Sequence, residues 1–242
     1  MRERGAKTRA LSEALTVILV AAGVAVVLPL AVITAMAAGI ELRPTLVMVL
    51  SILLTQGVSF GGVALLYLAL RRGTIRVPLR WPTANDLQWM VGGSALALAA
   101  LSIGLLVVSL LGLGVGEHRI QEIGVESPEI FLLLIPLSFL LIGPGEELLF
   151  RGVVQGRLRQ AFGAGAAIAL ASVTFAALHV VALSGPLAAR LTTVAVLVLP
   201  SLVFGLAYER SGNIAVPAVI HGMYNAMLFA VSFSAVQAET GG

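Results

Sequence analysis

The sequence predicts an all-α polytopic membrane protein: a transmembrane helix bundle of about seven spans, with a four-helix core in its C-terminal half. Three observations predict it. Hydrophobic residues fill 59% of 242 positions and charged residues 11%, against about 25% charged in ordinary globular chains. The mean hydropathy is +1.03. The uncharged stretches 14–40, 44–70 and 87–116 are each long enough to cross a bilayer, which takes about 20 apolar residues. At that length 242 residues hold at most about seven or eight spans, with no room for a separate soluble domain.

The elements follow in order. The first 13 residues are polar and basic, and 14–40 then run 27 positions without a charge. That is too long for the apolar core of a signal peptide, so it reads as a retained first helix, with Pro29 placed to kink it. Glu41-Leu42-Arg43-Pro44 ends it. Residues 44–70 form a second span, 71–86 a basic loop, and 87–116 a third span. Residues 117–129 form a mostly acidic loop in which His118 is expected to be solvated. The apolar run 130–145 stops at Gly143-Pro144-Gly145, read as an opening of the backbone. Residues 146–160 stay helix-compatible but carry charge. Spans over 161–183, 191–208 and 214–236 complete seven helices. The organisation expected is an N-terminal three-helix unit (1–127), a core (128–236) and a short tail (237–242).

Basic residues set the orientation. With the N-terminus inside, the inner segments hold Arg2, Arg4, Lys7, Arg9, Arg71, Arg72, Arg76, Arg80, Arg151, Arg157, Arg159 and Arg210. The outer segments hold Arg43, Arg119 and Arg190, a ratio of 12 to 3. The expected location is the cytoplasmic membrane, N-terminus inside. The pI of 9.9 therefore reports topology, and no nucleic-acid partner is implied.

Composition excludes several chemistries. There is no cysteine, one lysine (Lys7) and one aspartate (Asp86). Disulfides, thiol catalysis, cysteine metal sites, a Ser–Lys dyad and an intramembrane aspartate pair are unavailable. No HExxH and no Walker loop occurs. Ser172 and Ser184 stand in no recognisable nucleophile context, so a Ser–His protease ranks last.

Ionisable groups within spans cost about 2.5–3.5 kcal/mol each at a helix centre and mark the candidate chemistry. In Glu146-Glu147-Leu-Leu-Phe-Arg151, Glu147 and Arg151 are i,i+4 and share a face. Glu146 lies about 100° round the helix, free to face a cavity where poor solvation strengthens it as a general base. The bland alternative is an ordinary ion pair at a helix end. Phe175 precedes His179 by one turn and can wall a site. A turn at Phe162-Gly163 gives arms of 16 residues back to Glu146 and 16 on to His179, so a helical hairpin sets both at one depth, about 24 Å from the turn. His221 and Asn225, again i,i+4, can both donate hydrogen bonds to an oxyanion. They are equally the residues expected to glue packed membrane helices.

EExxxR, FxxxH and HxxxN, in that order on separate helices, resemble the CPBP family of intramembrane proteases. That family includes the type II CAAX prenyl endopeptidases and the bacterial Abi proteins linked to bacteriocin processing or immunity. The resemblance covers roughly residues 128–236. It implies that Glu146 and His179 activate a water, that His221 and Asn225 stabilise the oxyanion, and that Glu147 with Arg151 organises the site, with Phe175 beside it. The implied partner is a peptide or protein substrate in the bilayer. Two mechanisms fit. One is metal-free and needs no cofactor; the other uses a divalent metal such as zinc on Glu146, His179 and His221. A non-proteolytic immunity or scaffold protein and a small proton-coupled transporter are the alternative functions.

Overall fold

The computed structural model describes residues 2–240 of the chain, excepting the side chains of Arg2 and Thr240. It is all-α. The long helices are α1 (Arg2–Ala37), α2 (Pro44–Leu70), α3 (Ala84–Leu110), α5 (Glu129–Leu158), α6 (Ala164–Val181), α7 (Leu187–Ser211) and α8 (Ala215–Thr240). A short α4 (Arg119–Glu126) precedes α5. All seven long helices are long and apolar enough to cross a membrane. Their outward faces carry large apolar side chains such as Leu19, Leu106 and Val231, as suits a lipid solvent in which backbone groups must bond within the helix.

The helix ends follow local chemistry. Thr83 caps α3 through a reciprocal box with Asp86, which Arg80 also binds. α7 closes on Gly212 in the left-handed region, φ 58°. α1 stays helical through Pro29. α8 takes in residues 237–240; Gly241 and Gly242 lie outside the described residues.

Gly143-Pro144-Gly145 does not open the backbone as its composition suggests. α5 runs through it because the hydrogen-bond ladder skips one residue just before the proline. The wide, π-type turn Ser138–Ile142 ends with Gly143 N–H reaching back to Ser138 O. The two glycines serve close packing. A Cβ on Gly143 would stand 2.6 Å from Ala218 O on α8, and one on Gly145 3.0 Å from the Gln56 carbonyl carbon on α2.

Arg151 is fully buried in α5 and so leaves the topology count, which becomes 11 to 3. The loops sort into two ends. The 71–83 loop packs on one, with Val77 against Gly152 and Ile75 against Gly156, and Asn213 Nδ2 donates to Arg80 O at 3.1 Å. At the other end His118 forms an antiparallel bridge with Leu183. His118 is therefore half-buried rather than solvated; its Nδ1 accepts from Ile120 N at 3.2 Å and caps α4.

Apart from a cluster of Met48, Ile130 and Leu134 that joins α2 to α5, two apolar cores fill the bundle. One joins α1, α2, α5 and α6 through Ile18, Ala64, Phe150 and Phe175. The other joins α3, α7 and α8 through Met90, Phe204, Ile220 and Tyr224. The His221 ring meets both, 4.8 Å from the Phe204 ring and 5.6 Å from that of Phe175.

Candidate active site

Glu146 and Glu147 lie in one α-helical turn between two wide turns of α5, Ser138–Ile142 and Leu148–Gln155. Wide turns rotate successive side chains and recur at functional sites. Glu147 and Arg151 are both fully buried. Arg151 Nε donates to Glu147 Oε2 at 2.9 Å, the pairing that i,i+4 spacing predicts. Its other nitrogens donate to Ser201 Oγ at 2.7 Å and Ser172 Oγ at 3.3 Å. Its guanidinium also lies 5.6 Å from the Phe175 ring centroid. The charge is thus satisfied on every side, which a buried ion requires.

The second oxygen of Glu147 meets His221 Nδ1 at 2.9 Å. A carboxylate held by an arginine only accepts, so Nδ1 carries the proton and Nε2 faces the other way. There Glu146 Oε2 lies 3.7 Å from Nε2, beyond direct hydrogen-bond reach. Glu146 is 4% exposed, and this oxygen has no hydrogen-bond partner. The two carboxylates therefore differ: Glu147 bonds to Arg151 and His221, and Glu146 Oε2 has no hydrogen-bond partner among the described residues.

His179 starts the last, 3-10 turn of α6. Its Nδ1 lies 3.0 Å from Phe175 O. A carbonyl accepts, so Nδ1 donates and the neutral ring keeps an acceptor at Nε2. The Phe175 ring separates it from His221, with centroids 4.7 and 5.6 Å away. Phe150 and Phe175 meet edge to face at 5.1 Å. Phe150 is one turn after Glu146 and Phe175 one turn before His179, so this contact has the register of the equal-armed hairpin. No hydrogen bond joins His179 to Glu146 among the described residues. Asn225, one turn beyond His221, is half-buried and makes no side-chain hydrogen bond among them.

Sequence reasoning missed Ser201 and Phe204, and the role of Ser172 as an Arg151 partner. The signals were present. Ser172 is one turn before Phe175 on α6, and Ser201 is a hydroxyl in an otherwise apolar stretch, the residue type that bonds between membrane helices.

Glu146, His179 and His221 do not fit a metal site as placed. Among the described residues no three His, Asp or Glu side chains converge as ligands. Nδ1 of each histidine is engaged, by Glu147 and by Phe175 O, and Nε2 of each is left free.

A polytopic helical membrane protein with a buried ionisable cluster inside its bundle belongs to a class in which such groups carry function. Residues 128–227 match the family model of type II CAAX prenyl endopeptidases, Rce1-like, which bears out the resemblance carried by the three motifs and points to proteolysis at the membrane. No curated protein and no solved structure matches the chain.

Proposed function

We propose that the protein is an intramembrane endopeptidase that hydrolyses a peptide bond of a membrane-associated substrate with a water activated at Glu146. The observation that carries this reading is the open Glu146 carboxylate, 3.7 Å from an imidazole that Glu147 and Arg151 hold in place. Water donates a proton to Glu146 as its oxygen attacks the carbonyl carbon. His179 Nε2 accepts the remaining proton of that oxygen as the product carboxylate forms. Asn225 Nδ2 and a protonated His221 Nε2 donate to the oxyanion. Glu147 stabilises that imidazolium. The tetrahedral intermediate collapses as the C–N bond breaks, and Glu146 returns its proton to the leaving amine. No covalent acyl-enzyme forms.

The expected placement is the cytoplasmic membrane with the N-terminus inside. The basic-residue asymmetry supports it, and so does the sorting of the loops into two ends. His221 then lies six residues into α8, about 9 Å from the cytoplasmic end of that helix. The test is cleavage of a peptide library in proteoliposomes, with and without a chelator. Cleavage that survives chelation is expected; absence of cleavage in every peptide refutes the reading. Activity lost with chelator and restored by zinc overturns the metal-free step.

A further inference from the structure

Among the described residues, four buried side-chain atoms lack a hydrogen-bond partner: Glu146 Oε2, Gln56 Oε1, Gln155 Oε1 and Tyr224 Oη. Gln56 is on α2, outside the segment that matches the family model. We infer that Gln56 belongs to the active site, its side-chain oxygen and Glu146 holding the same water. This rests on the endopeptidase reading and adds a residue to its site.

The argument is one of register. α2 and α5 run side by side in the same direction. Gln56 backbone packs on Gly145, and the Phe60 and Phe150 rings meet at 6.3 Å. Tyr67 Oη and Arg157 Nε both bind Glu13 Oε2, at 3.2 and 2.8 Å. These three levels pair residues 89 or 90 positions apart, and Gln56 to Glu146 is also 90. The two orphaned oxygens thus lie at one depth on neighbouring helices. An unsatisfied polar atom within a bilayer costs several kcal/mol.

Chemistry selects the shared group. Both oxygens are acceptors, and a water satisfies both by donating one O–H to each, leaving a lone pair toward the substrate carbonyl. The backbone around Gln56 is also unusual. Residues Leu53–Gly62 form wide turns, in which Ser59 Oγ donates to Leu54 O at 2.7 Å. Such turns are uncommon and recur at functional sites; here they face the wide turns of α5. Gly57 and Gly61 let the two helices approach around the glutamine: a Cβ on them would stand 3.6 Å from Leu141 and 3.8 Å from Gly145 Cα. A glutamine in an apolar span needs such a partner to be retained.

The experiment uses purified full-length protein in proteoliposomes, with Gln56→Leu, Gln56→Glu, Glu146→Gln and the Gln56→Leu/Glu146→Gln pair. Gln56→Leu is expected to lower kcat at least tenfold, with KM moving less. Gln56→Glu keeps an oxygen but sets a second carboxylate beside the base, so activity returns with the acidic limb of its pH profile moved upward. Melting temperatures of the single variants are expected not to add in the double variant, because the two side chains share one group. Wild-type kcat in Gln56→Leu, or additive melting shifts, overturns the inference. The additivity readout needs no substrate. If the wild type cleaves nothing yet the shifts stay non-additive, the shared water stands and the endopeptidase reading falls.

Discussion

His221 Nδ1 lies 2.9 Å from Glu147 Oε1 across 74 residues of sequence. This bond makes Glu147 the hinge of the site, because its other oxygen is held by Arg151 at 2.9 Å. Glu147→Gln removes the charge that fixes the histidine proton on Nδ1 and leaves a buried guanidinium without its counter-ion. Both activity and melting temperature are expected to fall. Wild-type values for both, measured on the purified variant, would contradict the orienting role.

Arg151→Ala is expected to be the most destabilising change in the site. It leaves Glu147 an uncompensated charge in the bundle interior, at a cost of about 3–5 kcal/mol. It also removes the donors that join α5 to α6 at Ser172 and to α7 at Ser201. Arg151→Lys keeps the charge but not the fork that reaches three partners at once, so its stability should fall between the two. Thermal unfolding in detergent ranks them, and an unchanged melting point for Arg151→Ala would exclude the pairing.

Glu146→Gln is expected to abolish cleavage while sparing the fold. Glu146 Oε2 makes no hydrogen bond to another protein group, an amide keeps an oxygen at the site, and it lifts the cost of a charge with a poorly solvated side chain. Melting temperature should hold or rise as turnover disappears. A variant that cleaves at the wild-type rate would remove Glu146 as the base.

The bundle and the Glu147–Arg151 pair were legible because both depend on short-range spacing: apolar run length for the spans, i,i+4 for the pair. Long-range partners were less so. Nothing local in the sequence says that Phe204 stacks on His221 or that Ser201 answers Arg151; each requires knowing how α7 packs. Gly143-Pro144-Gly145 misled for a physical reason. Proline and glycine usually punctuate a helix, yet here a wide turn absorbs the missing donor and the glycines admit neighbouring backbones. His118 misled likewise. An acidic loop reads as solvated, but a backbone bridge to Leu183 folds this part of it back onto the bundle.

His118 gives a pH dependence. Burial, with the nearby His179 charge adding to it, holds this imidazole down from 6.5 to about 4. Its Nδ1 is also the acceptor that caps α4, a role protonation removes. The folded state thus keeps His118 neutral while the unfolded chain protonates below pH 6.5. Its contribution to stability is whole above that value and is lost as pH falls from about 6.5 to about 4. His118→Asn should flatten this part of the melting-temperature profile. An imidazole titrating near 6.5 by NMR would contradict the burial.

Gly145→Ala separates packing from chemistry. The added methyl would stand 3.0 Å from the Gln56 carbonyl carbon and nearer still to its oxygen. These are backbone atoms that cannot swing aside. Overpacking of this kind costs about 1–3 kcal/mol, and here it would also push α2 from the level of Glu146. Gly165→Ala is the control. Gly165 is exposed in the first turn of α6, with nothing within 4 Å of a new Cβ, so alanine should stabilise the helix by up to about 1 kcal/mol. Gly145→Ala is expected to lower both melting temperature and turnover, and Gly165→Ala to raise the first and leave the second unchanged. Equal behaviour of the two variants would mean that α2 does not press on the turn that carries the glutamates.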